Sequence, residues 1–344
     1  MAVMPDDVAD FVQTTLSRFH RRKWTDISLG YQEYIAPTLI NDKRVMERGG
    51  KDISFRLQVR NTGLARNTGW FEQDQTAIED VMTDGSVPWA MQTVNWSFSI
   101  YEDIFQSDEE TIIREMQIRE HDAMNSLAEL NEENLWSSPS STTDTRPMGI
   151  PFWIQKDASS SAGFNGGNPS THSSGCAGIS STTYPRWRDY TAGYAAVSMD
   201  DLIPKIKSAV RHTRFIAPHP HPELGFGRSD YQMFTVEDTL AACERLAESR
   251  NDNLGKDLAK YRNQVTIGGV PMKWVPYLTA NDSSNPLYGV NWKTFRPFAK
   301  KGASMRRNPP KQAAKQHTVR EVHIDNWMNY GCYNRRLNFV GSTS

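Results

Sequence analysis

The chain has 344 residues, of which 38% are hydrophobic and 23% charged, with 39 Lys and Arg against 40 Asp and Glu. This is the composition of a globular protein with about two packed units, and it excludes a disordered, collagen-like or membrane-spanning chain. The start MAVMPDDVAD has acids where a signal peptide has bases, so we expect the protein to stay in the cytosol. Cys176, Cys243 and Cys332 fit neither a disulfide framework nor a zinc ribbon, and we expect them to be small buried side chains.

Charge is distributed unevenly along the chain. Residues 67–136 contain 2 basic and 16 acidic residues, a net charge of −14, whereas residues 291–344 contain 11 basic and 2 acidic residues, a net charge of +9. Complementary charged surfaces help a chain that binds copies of itself to select partner and register. An acidic helix with a solvated face and a separate basic loop would give the same counts, so both interpretations stay open.

The clearest strand pattern leads into a long hairpin. Residues 52–60 alternate apolar and polar side chains, which is typical of a half-buried strand. The turn sequences Asn61-Thr62-Gly63 and Asn67-Thr68-Gly69 follow, and Trp70 and Phe71 are predicted to begin the returning strand. Because an isolated two-stranded ribbon is only marginally stable in water, we expect this hairpin to lie on another molecule.

A second strand is predicted over residues 91–104, and a long helix follows it directly. Ser107 and Glu110 form a capping box at the start of the helix, and Ser137-Ser138-Pro139 ends it. The apolar positions at helical spacing are Ile112, Ile113, Met116, Ala123, Met124, Leu127, Leu130 and Leu135. At a rise of 1.5 Å per residue the helix is roughly 45 Å long, far longer than average.

The second half of the chain mixes loops, helices and strands. Residues 137–190 are rich in Ser, Thr, Gly and Asn and predict a long surface loop with aromatic islands. Helices are predicted over about 200–212 and 236–250, with a buried strand at 214–217 between them. Further strands are predicted at about 264–278, 287–298 and 322–340, and a basic loop occupies 300–316.

The sequence offers no convincing catalytic, cofactor-binding or metal-binding residue. The glycine-rich run at 163–167 lacks the Gly-Lys-Ser/Thr of a phosphate-binding loop. The segment APHPHPELG at 217–225 could hold a metal, but its prolines favour a stiff connector. His172 and Cys176 could serve as base and nucleophile, but no third residue is identified that would orient them. We therefore expect no enzyme activity, no cofactor and no metal.

Residues 291–320 contain nine Lys and Arg and no acid, interleaved with Trp292, Phe295 and Phe298. This pattern is typical of a surface that contacts DNA phosphates, and equally of one that meets the acidic 67–136 region of a neighbouring subunit. We favour the neighbouring subunit, because the acid surplus elsewhere would repel phosphate. The candidate residues of this basic loop are Lys300, Lys301, Arg306, Arg307, Lys311 and Lys315.

The order of elements resembles a known family. An N-terminal arm, a long hairpin, a strand leading to a long capped helix, a mixed α/β region and returning strands are arranged as in the major capsid proteins of tailed bacteriophages. The local sequences DTRPMGIPFWI, PRWRDYTAGY and NWMNYGCYNRRLNF also look like phage capsid sequences. The resemblance covers almost the whole chain and implies an α+β Hong Kong 97-type fold.

This resemblance implies a division of the chain into five parts. They are an N-terminal arm (1–50), an extended hairpin loop (51–85), a peripheral domain with the long spine helix (86–145), an axial domain (146–320) and C-terminal strands returning to the peripheral domain (321–344).

The resemblance also implies the function of a structural virion protein without enzyme activity. Family members assemble into hexamers and pentamers of an icosahedral shell around packaged double-stranded DNA, in the virion capsid, after assembly in the host cytoplasm and without a membrane. The extended loop of one subunit lies over the peripheral domain of its neighbour. This predicts an intersubunit interface formed by Arg56, Arg60, Arg66, Trp70, Phe71, Glu115, Glu120, Asp122 and Glu129.

Further partners follow from the resemblance. We expect a portal, a separate scaffold protein, a decoration or cement protein, and non-specific contact with genomic DNA. Some family members join neighbouring loops by a lysine-to-asparagine crosslink, but here the loop offers only Lys51, at its base, so we expect none. Two alternatives stay open: the shell protein of an encapsulin-like cellular compartment, and a nucleic-acid-binding protein that uses the basic 291–320 segment.

Overall fold

The computed structural model describes residues 28–31, 33–41, 44–63, 65–71, 80–101, 109–157, 161–214, 230–248 and 265–343. The chain divides into a unit Met1–Gln32 and a unit Glu33–Ser344. All the described helices and strands belong to the second unit.

The described helices are α1 (Ile35–Asn41), α2 (Glu109–Leu135), α3 (Ile150–Trp153), α4 (Leu202–Thr213), α5 (Glu237–Glu248) and α6 (Pro276–Asn281), with a 3₁₀ turn at Arg335–Leu337. The described strands are β1 (Met46–Arg48), β2 (Ile53–Gln58), β3 (Met82–Val87), β4 (Ala90–Ser99), β5 (Tyr190–Gly193), β6 (Tyr231–Thr235), β7 (Thr266–Ile267), β8 (Val270–Trp274), β9 (Leu287–Asn291), β10 (Phe295–Lys300), β11 (Arg306–Arg307), β12 (Lys311–Gln312), β13 (Val319–Cys332) and β14 (Phe339–Ser342). None of these helices combines the length and apolar character that crossing a membrane requires.

Two sheets organise the second unit. In the first sheet, the 14-residue strand β13 pairs antiparallel with β4 and with β10, and β1 lies parallel to β10 at the edge. The short strands β11 and β12 also pair with β13. The second sheet has the order β5-β14-β9-β6-β8-β7. Because β13 and β14 follow each other in the chain, the C-terminal segment contributes to both sheets.

The predicted hairpin is present, but its returning strand begins later than expected. β2 pairs antiparallel with β3 along its whole length. Trp70 and Phe71, predicted to begin the return, lie in a turn outside both strands, so that prediction was wrong. Two adjacent aromatic residues lack the alternation of apolar and polar side chains that is typical of a half-buried strand.

The strands of the hairpin pack on their own subunit. Ile53, Phe55 and Val87 are buried in the main hydrophobic core, while Ser54 and Arg56 between them are exposed. The alternation predicted for residues 52–60 is therefore confirmed. The expectation that the hairpin needs another molecule was wrong for these strands, because one face of the ribbon is covered by the same chain.

The long helix is confirmed as α2, directly after β4 in the described chain. Its predicted cap, Ser107, lies outside the described residues, as do the side chains of residues 109–116. Ala123, Leu127 and Leu135 are buried as predicted. Met124 and Leu130 are partly exposed, so the buried stripe is narrower than the apolar pattern suggested.

The segment 137–190, predicted to be a surface loop, contributes to the core instead. Phe152 and Trp153 in α3 are completely buried, and Cys176 and Trp187 lie in the same hydrophobic cluster. The composition correctly indicated irregular backbone, but irregular backbone can be buried where side chains satisfy its polar groups. Asn168, for example, accepts hydrogen bonds from the backbone N–H and hydroxyl of Ser181.

The close approach of the chain before α3 requires a glycine. A Cβ atom on Gly149 would lie 2.3 Å from the carbonyl oxygen of Asn134 and 2.4 Å from that of Ser137. Pro151 occupies the first turn of α3, where its missing N–H costs nothing. These two residues place α3 beside the end of α2.

The remaining predictions for the second half hold with shifted boundaries. Helices α4 and α5 confirm the two predicted helices. The predicted strand at 214–217 and the segment 217–225 lie outside the described residues, apart from Arg214 after α4. The predicted strand at 264–278 forms β7 and β8 but ends in α6, because Pro276 begins a helix there. The predicted loop 300–316 contains β11 and β12.

The residue before α4 gives a testable pH dependence. Hydrogen bonds from Lys205 and from the backbone N–H groups of Ala196 and Ala195 lower the pKa of Asp201 from 3.8 to about 2. A lowered carboxyl pKa in the folded state stabilises the protein above pH 3.8, and this contribution is lost as the pH falls through about 2. We therefore expect Asp201→Asn to lower the free energy of unfolding at neutral pH, and this deficit to shrink as the pH falls below 3.8.

Urea unfolding at a series of pH values measures this difference. Lys205→Met is the matched control, since it keeps the carboxylate but removes the side-chain donor, and it should show a weaker pH dependence than the unmodified protein. Parallel pH curves for the unmodified protein and Asp201→Asn would contradict the assignment.

Candidate assembly surface

The turn of the hairpin exposes two large aromatic side chains. Trp70 is 98% exposed and Phe71 is 100% exposed, so neither side chain is covered by the described part of the chain. Isolated apolar side chains are common on protein surfaces, but two adjacent and fully exposed aromatic rings are typical of an interaction site. Both residues belong to the predicted interface.

The predicted interface arginines have neighbours within their own subunit. Arg56 forms an ion pair with Asp84 across the hairpin, with 3.2 Å between Nε and Oδ1, and both side chains are largely exposed. The guanidinium of Arg60 lies 5.7 Å from the ring centroid of Tyr184. Arg66 is exposed. Exposed ion pairs contribute little stability, so these contacts leave the arginines able to exchange partners.

The predicted acidic partners lie on α2. Asp122 is exposed, and Glu120 forms a 2.7 Å ion pair with Arg307 of β11 in the same subunit. Glu129 accepts a hydrogen bond from the hydroxyl of Tyr34. The backbone of Glu115 is helical, but its side chain lies outside the described residues. Part of the charge segregation seen in the sequence is therefore compensated within one chain, because β11 brings basic residues beside α2.

The basic loop is less suited to nucleic acid than its sequence suggested. Trp292, Phe295 and Phe298 are buried in the main core, so they cannot stack on bases. Lys300 places its ammonium 5.0 Å from the ring centroid of Trp327. The other candidates, Lys301, Arg306, Arg307, Lys311 and Lys315, are exposed.

A large basic cleft was not predicted from the sequence. It has a volume of about 1650 Å³ and lies between the hairpin strands and residues of α4, β10 and the C-terminal segment. Among the described residues that line it, one is acidic, Asp84. Its Lys and Arg are Arg48, Arg56, Arg186, Arg211, Lys293, Arg296 and Arg336. Lys293 and Arg296 belong to the basic segment 291–320, but the other five come singly from separate parts of the chain, so the sequence does not show that they meet.

The side chain of Arg336 lies in surroundings that disfavour its positive charge. Burial, together with repulsion from Arg186, lowers the pKa of Arg336. Its guanidinium lies 4.1 Å from the ring centroid of Phe164, which also lines the cleft. Basic and aromatic side chains therefore lie next to each other in the lining of the cleft.

A buried ion pair supports one wall of the cleft. Arg335 and Asp189 have no exposed side-chain surface, and their Nη2 and Oδ1 atoms are 2.6 Å apart. Arg335 also donates hydrogen bonds to the carbonyl oxygens of Trp153, Trp187 and Gly167. Burial raises the pKa of Asp189 to about 6 despite the adjacent guanidinium. This pair fixes the backbone of Arg336 and Trp187, which line the cleft.

The glycines of the run at 163–167 lie beside the buried Arg335–Asp189 pair and do not form a phosphate site. A Cβ atom on Gly166 would lie 2.1 Å from the carboxylate of Asp189. Gly163 exchanges backbone hydrogen bonds with Thr191 of β5. A phosphate cannot use amides that already donate to carbonyl oxygens, and a buried carboxylate would repel it.

The buried carboxylate of Glu132, on α2, binds the first residues of α1. The Oε2 atom of Glu132 accepts hydrogen bonds from the backbone N–H groups of Ile35 and Ala36, each at 2.7 Å. Its Oε1 atom accepts one from the indole of Trp136, also at 2.7 Å. Burial raises the pKa of Glu132. Residues 35–41, predicted to belong to the arm, thus form a helix anchored in the core.

The fold of this chain is similar to known structures, although its sequence is not similar to known families. No protein-family profile matches the sequence, and no curated protein is detectably similar to it. Its fold, however, is similar to the capsid of cyanophage A-1(L), with a TM-score of 0.60, 14% identity, and coverage of 95% of this chain and 98% of that one. This chain has the fold of a phage capsid protein.

Two further capsids support the same fold. The capsid of a native GTA particle matches with a TM-score of 0.52 and 11% identity, over 97% of this chain and 98% of that one. The capsid of Myoviridae phage XM1 matches with a TM-score of 0.51 and 9% identity, over 94% and 97% of the two chains. The capsid fold and its α+β class, expected from the order of sequence elements, are confirmed.

Within this capsid fold, the cysteines are unsuited to catalysis. All three are buried and unpaired. Burial raises the pKa of Cys176 to about 11, and its thiol donates to the carbonyl oxygen of Phe152. Burial lowers the pKa of His172, whose Nδ1 lies 2.9 Å from the hydroxyl of Thr171. Because only the thiolate is a nucleophile, the base-nucleophile interpretation of this pair has no support in the structure.

The described residues also contain no group of three or more His, Cys, Asp or Glu side chains that could hold a metal ion.

Proposed function

We propose that this chain is the major capsid subunit of a tailed-phage-type particle. It forms hexamers and pentamers of an icosahedral shell that encloses double-stranded DNA in the virion. The observation that carries this proposal is the end-to-end match to the capsid of cyanophage A-1(L), which covers 95% of this chain and 98% of the other. The role is structural and not enzymatic.

The five-part division predicted from the sequence belongs to this proposal. Residues 51–85 form the extended loop, 86–145 and 321–344 the peripheral domain, 146–320 the axial domain, and 1–50 the arm. The pairing of β13 with β4 supports a peripheral domain built from both the middle and the end of the chain, whereas the last strand, β14, pairs with β5 and β9 from the range of the axial domain. Assembly in the host cytoplasm, a portal, a separate scaffold and a decoration protein remain parts of the proposed setting.

The exposed loop supports a role in assembly. Trp70 and Phe71 project from the turn of the hairpin with essentially complete exposure. Burying such side chains against an adjacent subunit releases the water around them and stabilises the contact by about 1.5–3 kcal/mol for each. The ion pairs predicted between Arg56, Arg60 or Arg66 and the acids of a neighbouring α2 stay a prediction.

Electron microscopy of the purified protein tests the proposal. We expect closed shells of uniform size. Trp70→Ser combined with Phe71→Ser should abolish most shells without unfolding the subunit, because both side chains lie outside the core. Met91→Ser, which replaces a half-exposed apolar residue on β4, is the matched control and should still assemble. A protein that stays monomeric under all assembly conditions would refute the proposal.

The contents of the shells separate two versions of this function. Particles from infected cells that contain DNA support the virion capsid. Particles that enclose an enzyme instead would indicate the encapsulin-like alternative.

A further inference from the structure

The basic cleft lacks compensating charge within its own subunit. The acidic residue among its described lining residues, Asp84, is already paired with Arg56. Within the described part of the chain, no Asp or Glu forms an ion pair with any of the other cleft cations, which are Arg48, Arg186, Arg211, Lys293, Arg296 and Arg336. Unpaired cations that share a concave surface raise the local concentration of anions.

An aromatic ring fixes the position of one cleft arginine. The guanidinium of Arg336 lies over Phe164, 4.1 Å from the ring centroid, and Phe164 packs edge-on against the buried ring of Tyr190. The ring of His212 lies 6.5 Å from that of Phe164, so the last turn of α4, which also carries Arg211, lies beside the same ring. The Arg336 side chain donates no hydrogen bond to any described residue. A guanidinium stacked on a ring by its face keeps its N–H donors directed outward in its own plane, where they can bind an oxyanion.

The size and lining of the cleft indicate the kind of ligand. Six of the seven Lys and Arg side chains in the lining are arginines. A guanidinium matches two oxygens of one phosphate or carboxylate group, whereas a lysine ammonium acts as a point charge. The cleft volume of about 1650 Å³ exceeds the range of roughly 300–1000 Å³ that is typical for small-molecule sites, so the cleft has room for several oxyanionic groups.

Phosphate groups suit this cleft better than carboxylates. Burial and repulsion from Arg186 lower the pKa of Arg336, so a ligand gains most where it brings much negative charge into a small space. A phosphate monoester carries a charge of about −1.5 to −2 at pH 7, whereas a carboxylate carries a single negative charge. Phosphate groups linked to each other therefore neutralise more of the cleft than the spaced carboxylates of an acidic polypeptide.

We propose that the basic cleft is a binding site for a compound that carries two or more linked phosphate groups. Arg186, Arg211 and Arg336 bind the phosphate oxygens, and Phe164 positions the guanidinium of Arg336. A free polyphosphate compound and the backbone of a nucleic acid share this chemistry, and the experiments below distinguish these two sources. The site lies within one subunit, so this inference goes beyond the proposed shell function and does not depend on it.

Calorimetric titration of the unassembled full-length protein with inorganic tripolyphosphate tests the site. We expect saturable binding that weakens as salt is added, because salt screens the attraction between charges. Arg186→Gln with Arg336→Gln should weaken binding by about tenfold or more, because hydrogen bonds between charged groups are lost. Lys301→Gln with Lys311→Gln removes the same amount of charge from exposed positions outside the described lining, and this control should bind like the unmodified protein. An equal loss in both double variants, or no saturable binding at low salt, would overturn the proposal.

Two further variants guard against loss of folding and against a simple effect of net charge. Arg186→Gln with Arg211→Gln changes only exposed side chains, so it should fold normally and still lose binding. Phe164→Leu keeps every charge but removes the ring beneath Arg336, and it should weaken binding severalfold. Circular dichroism verifies that both variants are folded. Unchanged binding by either folded variant would contradict the assignment of the site.

Competition experiments separate the two sources of phosphate. Displacement of tripolyphosphate by a short single-stranded DNA that does not bind the Arg186→Gln/Arg336→Gln variant would support the site and identify a nucleic acid backbone as its ligand. Tripolyphosphate binding that this DNA does not displace would support the site and identify a free polyphosphate compound. Polyglutamate of the same total charge tests an acidic polypeptide. If polyglutamate binds as tightly as tripolyphosphate, the cleft does not select phosphate and the proposal fails.

Discussion

Replacing Arg335 by Met is expected to lower the free energy of unfolding by about 3–5 kcal/mol. Arg335 and Asp189 are fully buried, and their ion pair has an N–O distance of 2.6 Å. The substitution leaves a buried carboxylate without a counter-charge and leaves the carbonyl oxygens of Trp153, Trp187 and Gly167 without their guanidinium donor. Stability is lost because the buried carboxylate of Asp189 is unpaired and because these carbonyl oxygens lose their hydrogen bonds.

Urea unfolding of the unassembled subunit measures this effect, at a pH above about 6 so that the Asp189 carboxyl is ionised in the folded state. Asp189→Asn keeps an acceptor for Arg335 and should cost less. Arg320→Met, at an exposed position on β13, is the matched control and should change stability by no more than about 0.5 kcal/mol. An Arg335→Met variant as stable as this control would show that the pair contributes nothing to the fold.

Replacing Glu132 by Leu is expected to lower the free energy of unfolding by a similar amount. Its carboxylate accepts hydrogen bonds from Ile35, Ala36 and Trp136, and each donor is left buried and unpaired by the substitution. Each such donor costs about 1–3 kcal/mol, so we expect a total of several kcal/mol. The first turn of α1 also loses the negative charge near its positive end. Residues 35–41 should therefore detach from α2 before the rest of the subunit unfolds.

Hydrogen exchange of the Ile35 and Ala36 amides reports this detachment directly. We expect much faster exchange in Glu132→Leu and an intermediate rate in Glu132→Gln, which keeps one side-chain oxygen as acceptor. Glu133→Leu changes the adjacent exposed carboxylate and serves as the control. Unchanged protection of the two amides in Glu132→Leu would exclude this role.

The sequence identified the elements whose periodicity is strong. The alternation at residues 52–60 became β2, and the long apolar stripe with its polar end at Ser137 became α2. These patterns are reliable because a half-buried strand and a one-sided helix each require a fixed spacing of apolar residues. The strand start predicted at Trp70 and Phe71 was wrong, and both side chains lie exposed in a turn.

Amino-acid composition predicted where the backbone is irregular, but it did not predict which side chains are buried. The Ser- and Gly-rich segment 137–190 is irregular as expected, yet Trp153 and Cys176 within it are fully buried. Similarly, Phe295 and Phe298 occur among basic residues but lie in the core. Burial depends on which elements meet across the fold, and one stretch of sequence does not contain that information.

For the candidate surfaces, the excess of charge and the capsid-like order of elements are visible in the amino-acid sequence. The pairing of Arg307 with Glu120 within one chain, and the convergence of Arg186, Arg211 and Arg336 on one cleft, are visible in the three-dimensional structure and not in the sequence. The structure also shows that Glu132 and Arg335, ordinary charged residues in the sequence, are buried anchors. The physical reason is that periodicity and composition are local properties, whereas charge pairing and burial depend on contacts between residues far apart in the chain.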